Sequence, residues 1–173
     1  MARWYAVQVE CGREAATAQQ ILSTLGGPQG AVRECFSPLW QTQEKRRGTW
    51  QFVERRLIPG YVIAVSNQPK QLEEGLYRVP GMSRMLRSEG GFVPLADSEV
   101  GWIDRHALGE RRVVPMSRAV KEGDRVTVTA GPLMDRTLRV ARIDRHRSTA
   151  YVEVKFLGRR KLVPMGLAVL SAE

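Results

Sequence analysis

The chain has little of what an enzyme needs. Its 173 residues include two cysteines, Cys11 and Cys35, and two histidines, His106 and His146. No Cys-x-x-Cys pair or Cys/His spacing suits a metal. There is no phosphate-binding glycine loop, no dinucleotide fingerprint and no nucleophile set beside either histidine. We therefore read a non-enzymatic protein with no cofactor and no metal. No apolar run approaches the ~18 residues a membrane span requires, and nothing near Met1 resembles the core of a signal peptide. Those absences predict a cytoplasmic protein with no membrane partner. Two scattered cysteines read as small buried hydrophobes rather than as a bridge. The chain has no internal repeat and no low-complexity tract.

What is present is positive charge. The chain carries 27 Lys/Arg against 18 Asp/Glu, a net charge of +9, which favours a polyanionic partner, nucleic acid ahead of membrane. The excess is uneven. Residues 116–173 hold 12 Lys/Arg against 6 Asp/Glu, whereas residues 1–115 hold 15 against 12. A hydrophobic fraction of 43% is that of a globular protein with a real core.

The first half alternates strand and helix patterns. Trp4 to Val9 reads as an opening strand. Ala15, Ala18, Ile21, Leu22 and Leu25 recur at helical spacing, and Gly26-Gly27-Pro28 stops that helix. Glu34 to Gln41 and Trp50 to Leu57 read as strands flanking a basic hairpin tip, Lys45-Arg46-Arg47-Gly48. Tyr61 to Val65 is the most β-like run and predicts a central strand. A short helix over Gln68–Tyr77, an edge strand over Met82–Leu86 and a last helix carrying Val100, Ile103 and Leu108 complete an α+β unit over residues 1–110.

Residues 111–118 read as a linker, and a second domain over 119–173 shows short strands separated by turns. The expected strands are Arg125–Thr129, Thr137–Asp144, Ala150–Phe156, Arg159–Val163 and Ala168–Ser171, which suits a small β-barrel. The most informative stretch runs from the charged turn Lys121-Glu122-Gly123-Asp124 through Val126 and Val128 to Gly131-Pro132, with the basic loop Arg145-His146-Arg147 following.

That second unit resembles a KOW motif, and the whole chain resembles the NusG family of transcription elongation factors. The opening strand Trp4–Val9, the run Ile58-Pro59-Gly60-Tyr61-Val62, the turn Val79-Pro80-Gly81 and Val93-Pro94-Leu95 match the family's first domain in order and spacing. The resemblance implies an NGN-type antiparallel sheet with packed helices, followed by a KOW β-barrel of SH3 type. Glu34–Pro38, Gly48-Thr49-Trp50, Pro115-Met116-Ser117, Gly131-Pro132-Leu133 and Ile143–Arg147 are most similar to the LoaP branch, specialised paralogues that act as processive antiterminators.

The resemblance implies that Trp4, Ile58 and Tyr61 meet the clamp helices of RNA polymerase, with Ile58 standing where the family has phenylalanine. The hairpin cations Lys45, Arg46 and Arg47 would reach upstream or non-template DNA through its phosphates. In the barrel, Arg136, Arg139 and Arg142 on one strand, Arg145, His146 and Arg147 in one loop, and Arg159, Arg160 and Lys161 after another are expected to gather at one end and bind a nascent RNA leader hairpin. The reading is of a monomeric bacterial antitermination factor. Two alternatives stay open: a general NusG-type factor coupling transcription to the ribosome or Rho, in which Phe156 and Leu157 dock protein, and a ribosome-associated protein gripping folded ribosomal RNA.

Overall fold

The computed structural model describes residues 1–81, 83–85, 87–88 and 91–171. The first part of the chain runs β1 (Arg3–Val9), α1 (Glu14–Leu25), β2 (Glu34–Phe36), β3 (Leu39–Arg46), β4 (Thr49–Arg56), β5 (Tyr61–Ser66) and α2 (Pro69–Leu76). Short strands β6 (Ser83–Met85), β7 (Arg87–Ser88) and β8 (Gly91–Phe92) then precede α3 (Asp97–His106). The last part holds β9 (Val113–Val114), β10 (Ser117–Glu122), β11 (Arg125–Ala130), a 3-10 turn over Pro132–Met134, β12 (Arg139–Asp144), β13 (Thr149–Phe156) and β14 (Arg159–Ser171). Backbone contacts divide the chain into two compact units, Met1–Ser37 with Ile58–Val100, and Pro38–Leu57 with Gly101–Glu173.

In the first unit the strands pair antiparallel in the order β2-β5-β1-β6. Alternation along β1 sends Tyr5, Val7 and Val9 to one side, where they meet Val62 and Ala64 of β5. Ile21 and Leu25 of α1 and Leu72 and Leu76 of α2 close the same core. The buried Glu14 at the start of α1 is satisfied by two backbone donors, the N–H groups of Gly12 (2.6 Å) and Gly60 (3.3 Å). It thereby ties the helix to the Pro59-Gly60 turn, where Gly60 has φ of 85°.

The expected strand over Glu34–Gln41 is two strands. β2 ends at Phe36, where its ladder with β5 stops, and a new strand paired with β4 starts at Leu39, with Pro38 between them. The expected edge strand survives as β6, while Met82 and Leu86 lie outside the described residues. The last helix ends at His106, which leaves Leu108 beyond it and 54% exposed.

In the second unit β3 and β4 form a hairpin closed by Arg47-Gly48, with φ of 50° and 82°. A two-residue loop with both residues left-handed is a type I′ turn, whose twist matches that of the flanking strands. The stretch 111–118 contains β9, paired in parallel with Leu39 and Trp40, and the start of β10. Five strands follow in the order β11-β10-β14-β13-β12. Two expected strands merge into the 13-residue β14. Its first part pairs antiparallel with β13 and its last part runs parallel to β10, so one strand serves both halves of the barrel. Ala150, Val152, Val154, Val163, Met165 and Leu167 fill the interior.

Candidate nucleic-acid interface

Register decides which barrel cations share a surface. Val152, Val154 and Phe156 are buried, so Tyr151, Glu153 and Lys155 of β13 face outward. Arg142 lies opposite Tyr151, Arg139 opposite Glu153 and Arg160 opposite Lys155. Four cations therefore stand on the outer side of β12–β13–β14 around one carboxylate. Arg160 pairs with that carboxylate at 3.3 Å. The Arg142 guanidinium lies 4.2 Å from the centre of the Tyr151 ring, a cation–π contact between neighbouring strands.

The expected gathering of all nine barrel residues, eight Lys/Arg and His146, at one end does not occur. Arg145, His146 and Arg147 lie in the turn before β13, whereas Arg159 and Arg160 follow the Leu157-Gly158 turn after it. Consecutive hairpin turns of an up-and-down sheet fall at opposite ends of their shared strand. For a strand of this length that separates them by about 23 Å. Arg136 lies in the turn ahead of β12 rather than on it, and Lys161 faces away from Arg160, with its ammonium 5.9 Å from the Phe156 ring. Phe156 is buried.

The Arg145–Ser148 turn is firmly built. The Asp144 carboxylate accepts from the Arg147 N–H (3.2 Å), and the Ser148 N–H donates to the Arg145 carbonyl (3.3 Å). Ser148 adopts φ of 49° and is buried; its carbonyl accepts from the Leu167 N–H at 2.8 Å. The β3–β4 hairpin is fastened to the same turn. The Thr42 hydroxyl donates to the carbonyls of Ser148 (3.2 Å) and Arg147 (3.4 Å), and Gln43 Nε2 donates to Ser148 Oγ (3.3 Å). Further along, the Met116 N–H donates to Gln41 Oε1 at 3.2 Å.

This fastening joins two groups of residues that the sequence presented separately. Lys45 of the hairpin and His146 and Arg147 of the barrel line one cleft of about 560 Å³. Aromatic side chains complete it: Trp40 and Tyr151, which sequence reasoning did not single out, and Trp50, which it named within a motif and not as a contact. Trp40 is buried, whereas Trp50 is 53% exposed. The available signal was hairpin register, because the tip turn sets Lys45 directly opposite Trp50. Glu44 also lines the cleft, and its carboxylate is held by Arg46 (3.2 Å) and by Arg55. Arg46 and Arg47 do not line it.

In the first unit, Trp4 and Tyr61 fall on the sheet face opposite α1 and α2, about 13 Å apart along the strands. Trp4 packs edge-to-face on Phe36 with ring centres 5.2 Å apart. Ile58 is only 1% exposed, so its side chain belongs to the interior and not to the surface on which the resemblance places a contact. Burial pushes the Cys35 thiol up to about 12, with the neighbouring Glu34 charge adding to the shift. Among the described residues no group of three or more His, Cys, Asp or Glu side chains converges as metal ligands, and no helix is long and apolar enough to cross a membrane.

Comparison with known proteins places this fold. The profile of the family described as "Transcription termination factor nusG" matches residues 2–104. The "Transcription termination/antitermination protein NusG" of Thermus thermophilus is 27% identical over 172 residues, covering 94% of each chain. Its namesake in Rickettsia prowazekii is 26% identical, covering 91% of this chain and 83% of the relative. The Vibrio parahaemolyticus protein of that name is 29% identical, covering 91% and 88%. A solved structure described as "Domain interaction in Thermotoga maritima NusG" superposes with a TM-score of 0.60 at 22% identity, covering 97% of this chain and 94% of that one, a likeness of fold. These relatives are transcription factors and not enzymes. With the profile spanning more than half of its length, the chain belongs to the NusG family of transcription termination/antitermination factors.

Proposed function

We propose that this protein is a processive antitermination factor of the LoaP kind, which rides on RNA polymerase through its first unit and grips a nascent RNA leader hairpin through its barrel. The observation that carries the RNA reading is the outer row Arg139, Arg142, Lys155 and Arg160, brought into register across three strands. A-form stems are recognised by backbone and shape, and arginine forks set on a rigid sheet suit phosphates at fixed spacing. On the first unit, the half-exposed Trp4 and Tyr61, on the sheet face opposite α1 and α2, would offer aromatic anchors to the polymerase clamp helices. Two weak contacts acting together raise the effective concentration of the factor at one operon, so neither needs high affinity. The exposed tip residues Arg46 and Arg47 would meet upstream or non-template DNA phosphates without reading sequence.

The test is a gel-shift titration of the full chain against a panel of leader hairpins and scrambled controls at matched salt. We expect one hairpin to be preferred. The triple change Arg139→Ala, Arg142→Ala and Arg160→Ala should weaken its binding and lower the salt slope by about one for every phosphate no longer engaged. A terminator read-through assay with that leader upstream should show antitermination that the same variant abolishes. Equal binding to every hairpin, with read-through independent of the leader, would refute the specialised role and leave a general NusG-type factor.

A further inference from the structure

We propose that the cleft between the β3–β4 hairpin and the barrel holds one unpaired nucleotide of RNA, adjacent to the stem. This rests on the RNA reading above but concerns a different set of side chains. A cleft of about 560 Å³ lies in the range of about 300–1,000 Å³ typical of small-ligand sites. Its chemistry is that of a base-stacking site. Trp50 rises from the hairpin with half its surface in water, and Tyr151 lines the cleft from the barrel. Unpaired bases stack on such rings whatever their identity.

Charge points to the same ligand. Lys45 stands opposite Trp50, and Arg147 enters from the barrel turn. Among the described residues Lys45 has no carboxylate partner, and Arg147 reaches Asp144 only at 4.0 Å. Glu44 is the one carboxylate lining the cleft, and Arg46 and Arg55 already engage its two oxygens. Two cations therefore stand beside the aromatic walls for the phosphates that flank a base, and His146 adds a ring nitrogen within the same lining. The hydrogen bonds from Thr42 and Gln43 to the Arg145–Ser148 turn hold the two walls in place before any ligand arrives, which lowers the ordering cost of binding.

Continuity favours RNA over the DNA strands. Tyr151 lines the cleft while its ring carries Arg142 of the outer cationic row. A stem lying on that row would deliver its flanking unpaired residue to the cleft.

The experiment uses the full chain and a single-stranded RNA decamer with a central 2-aminopurine, whose fluorescence falls on stacking. We expect quenching on binding, and an affinity lowered at least tenfold by Trp50→Ala and largely restored by Trp50→Phe. Exposure of Trp50 makes both variants compatible with folding, which a thermal melt checks. No quenching with the natural sequence, or unchanged affinity in Trp50→Ala, would overturn the proposal. A DNA decamer bound as tightly, with the same dependence on Trp50, would overturn the assignment to RNA. The two readings fail separately. Loss of decamer binding with hairpin preference intact sinks only the cleft, whereas decamer quenching with no hairpin preference sinks the stem-binding role.

Discussion

Changing Gly166 to alanine tests the fastening of the hairpin to the barrel. A Cβ at this position would sit 2.1 Å from the Gln41 carbonyl oxygen and 3.0 Å from Met116 Cγ. Carbon–oxygen contacts begin near about 3.3 Å, so β3 must retreat by roughly 1.2 Å. That movement carries the Gln41–Met116 and Thr42–Ser148 hydrogen bonds, each 3.2 Å long, past the ~3.5 Å at which such contacts cease to count. Each is worth about 0.5–1.5 kcal/mol, and overpacking adds strain of about 1–3 kcal/mol. We expect a loss of about 2–4 kcal/mol, since the strain is relieved in part by breaking the bonds. At the length of the second unit, Pro38–Leu57 with Gly101–Glu173, that corresponds to a fall in Tm on the order of 10–30 °C. The shift belongs to the transition of the second unit, which calorimetry separates if the two units melt independently. Amide exchange supplies a local readout: the Met116 N–H should lose protection while the β13–β14 ladder keeps its own. A Gly166→Ala protein with the parental Tm and a protected Met116 amide would show that the hairpin does not pack on β14 as described.

Two further outcomes follow from the titratable groups. Cys11 is exposed and Cys35 buried, with the Cys35 thiol held near 12. A thiol reagent at pH 8 should therefore modify one equivalent in the folded protein and two in denaturant. Because the unfolded thiol ionises first, Cys35 also removes stability as pH rises above its ordinary value of 9.0, an effect absent in Cys35→Ala. The Asp135 carboxylate is held well below the usual range by the Thr137 hydroxyl (2.6 Å) and then by His106 Nε2 (2.7 Å) and the Thr137 N–H (2.9 Å). A depressed acid stabilises the fold above its unfolded value of 3.8 and progressively less below it. The stability gap between the parent and Asp135→Asn, read from urea melts, should be flat above about pH 5 and shrink as the solution is acidified further. A gap that widens in acid would contradict the assignment.

Local patterns carried most of the architecture. Period-two alternation in β1 and β5, helical spacing in α1, and the Gly-Pro punctuation between them are properties of neighbouring residues, and they remain visible without coordinates. The family likeness rested on similar short motifs, and the profile match over residues 2–104 agrees with it. Charge was legible as an amount, with the excess concentrated in the last third of the chain.

Where that charge points depended on pairings between residues distant in the chain. A strand has two ends and two faces, and composition does not distinguish them. The turns at Arg145–Ser148 and Leu157-Gly158 therefore looked equivalent until β13 set them at opposite ends. The break at Pro38 and the single continuous β14 likewise follow from which partner strand offers hydrogen bonds at each position. Most consequential is Thr42 bonded to Ser148, 106 residues away. Sequence by itself determined that this chain is a basic two-part protein of the NusG family. Only long-range packing decided that Trp50 and Lys45 face the same space as Arg147 and Tyr151, because a cleft exists where separate segments meet and no one segment encodes it.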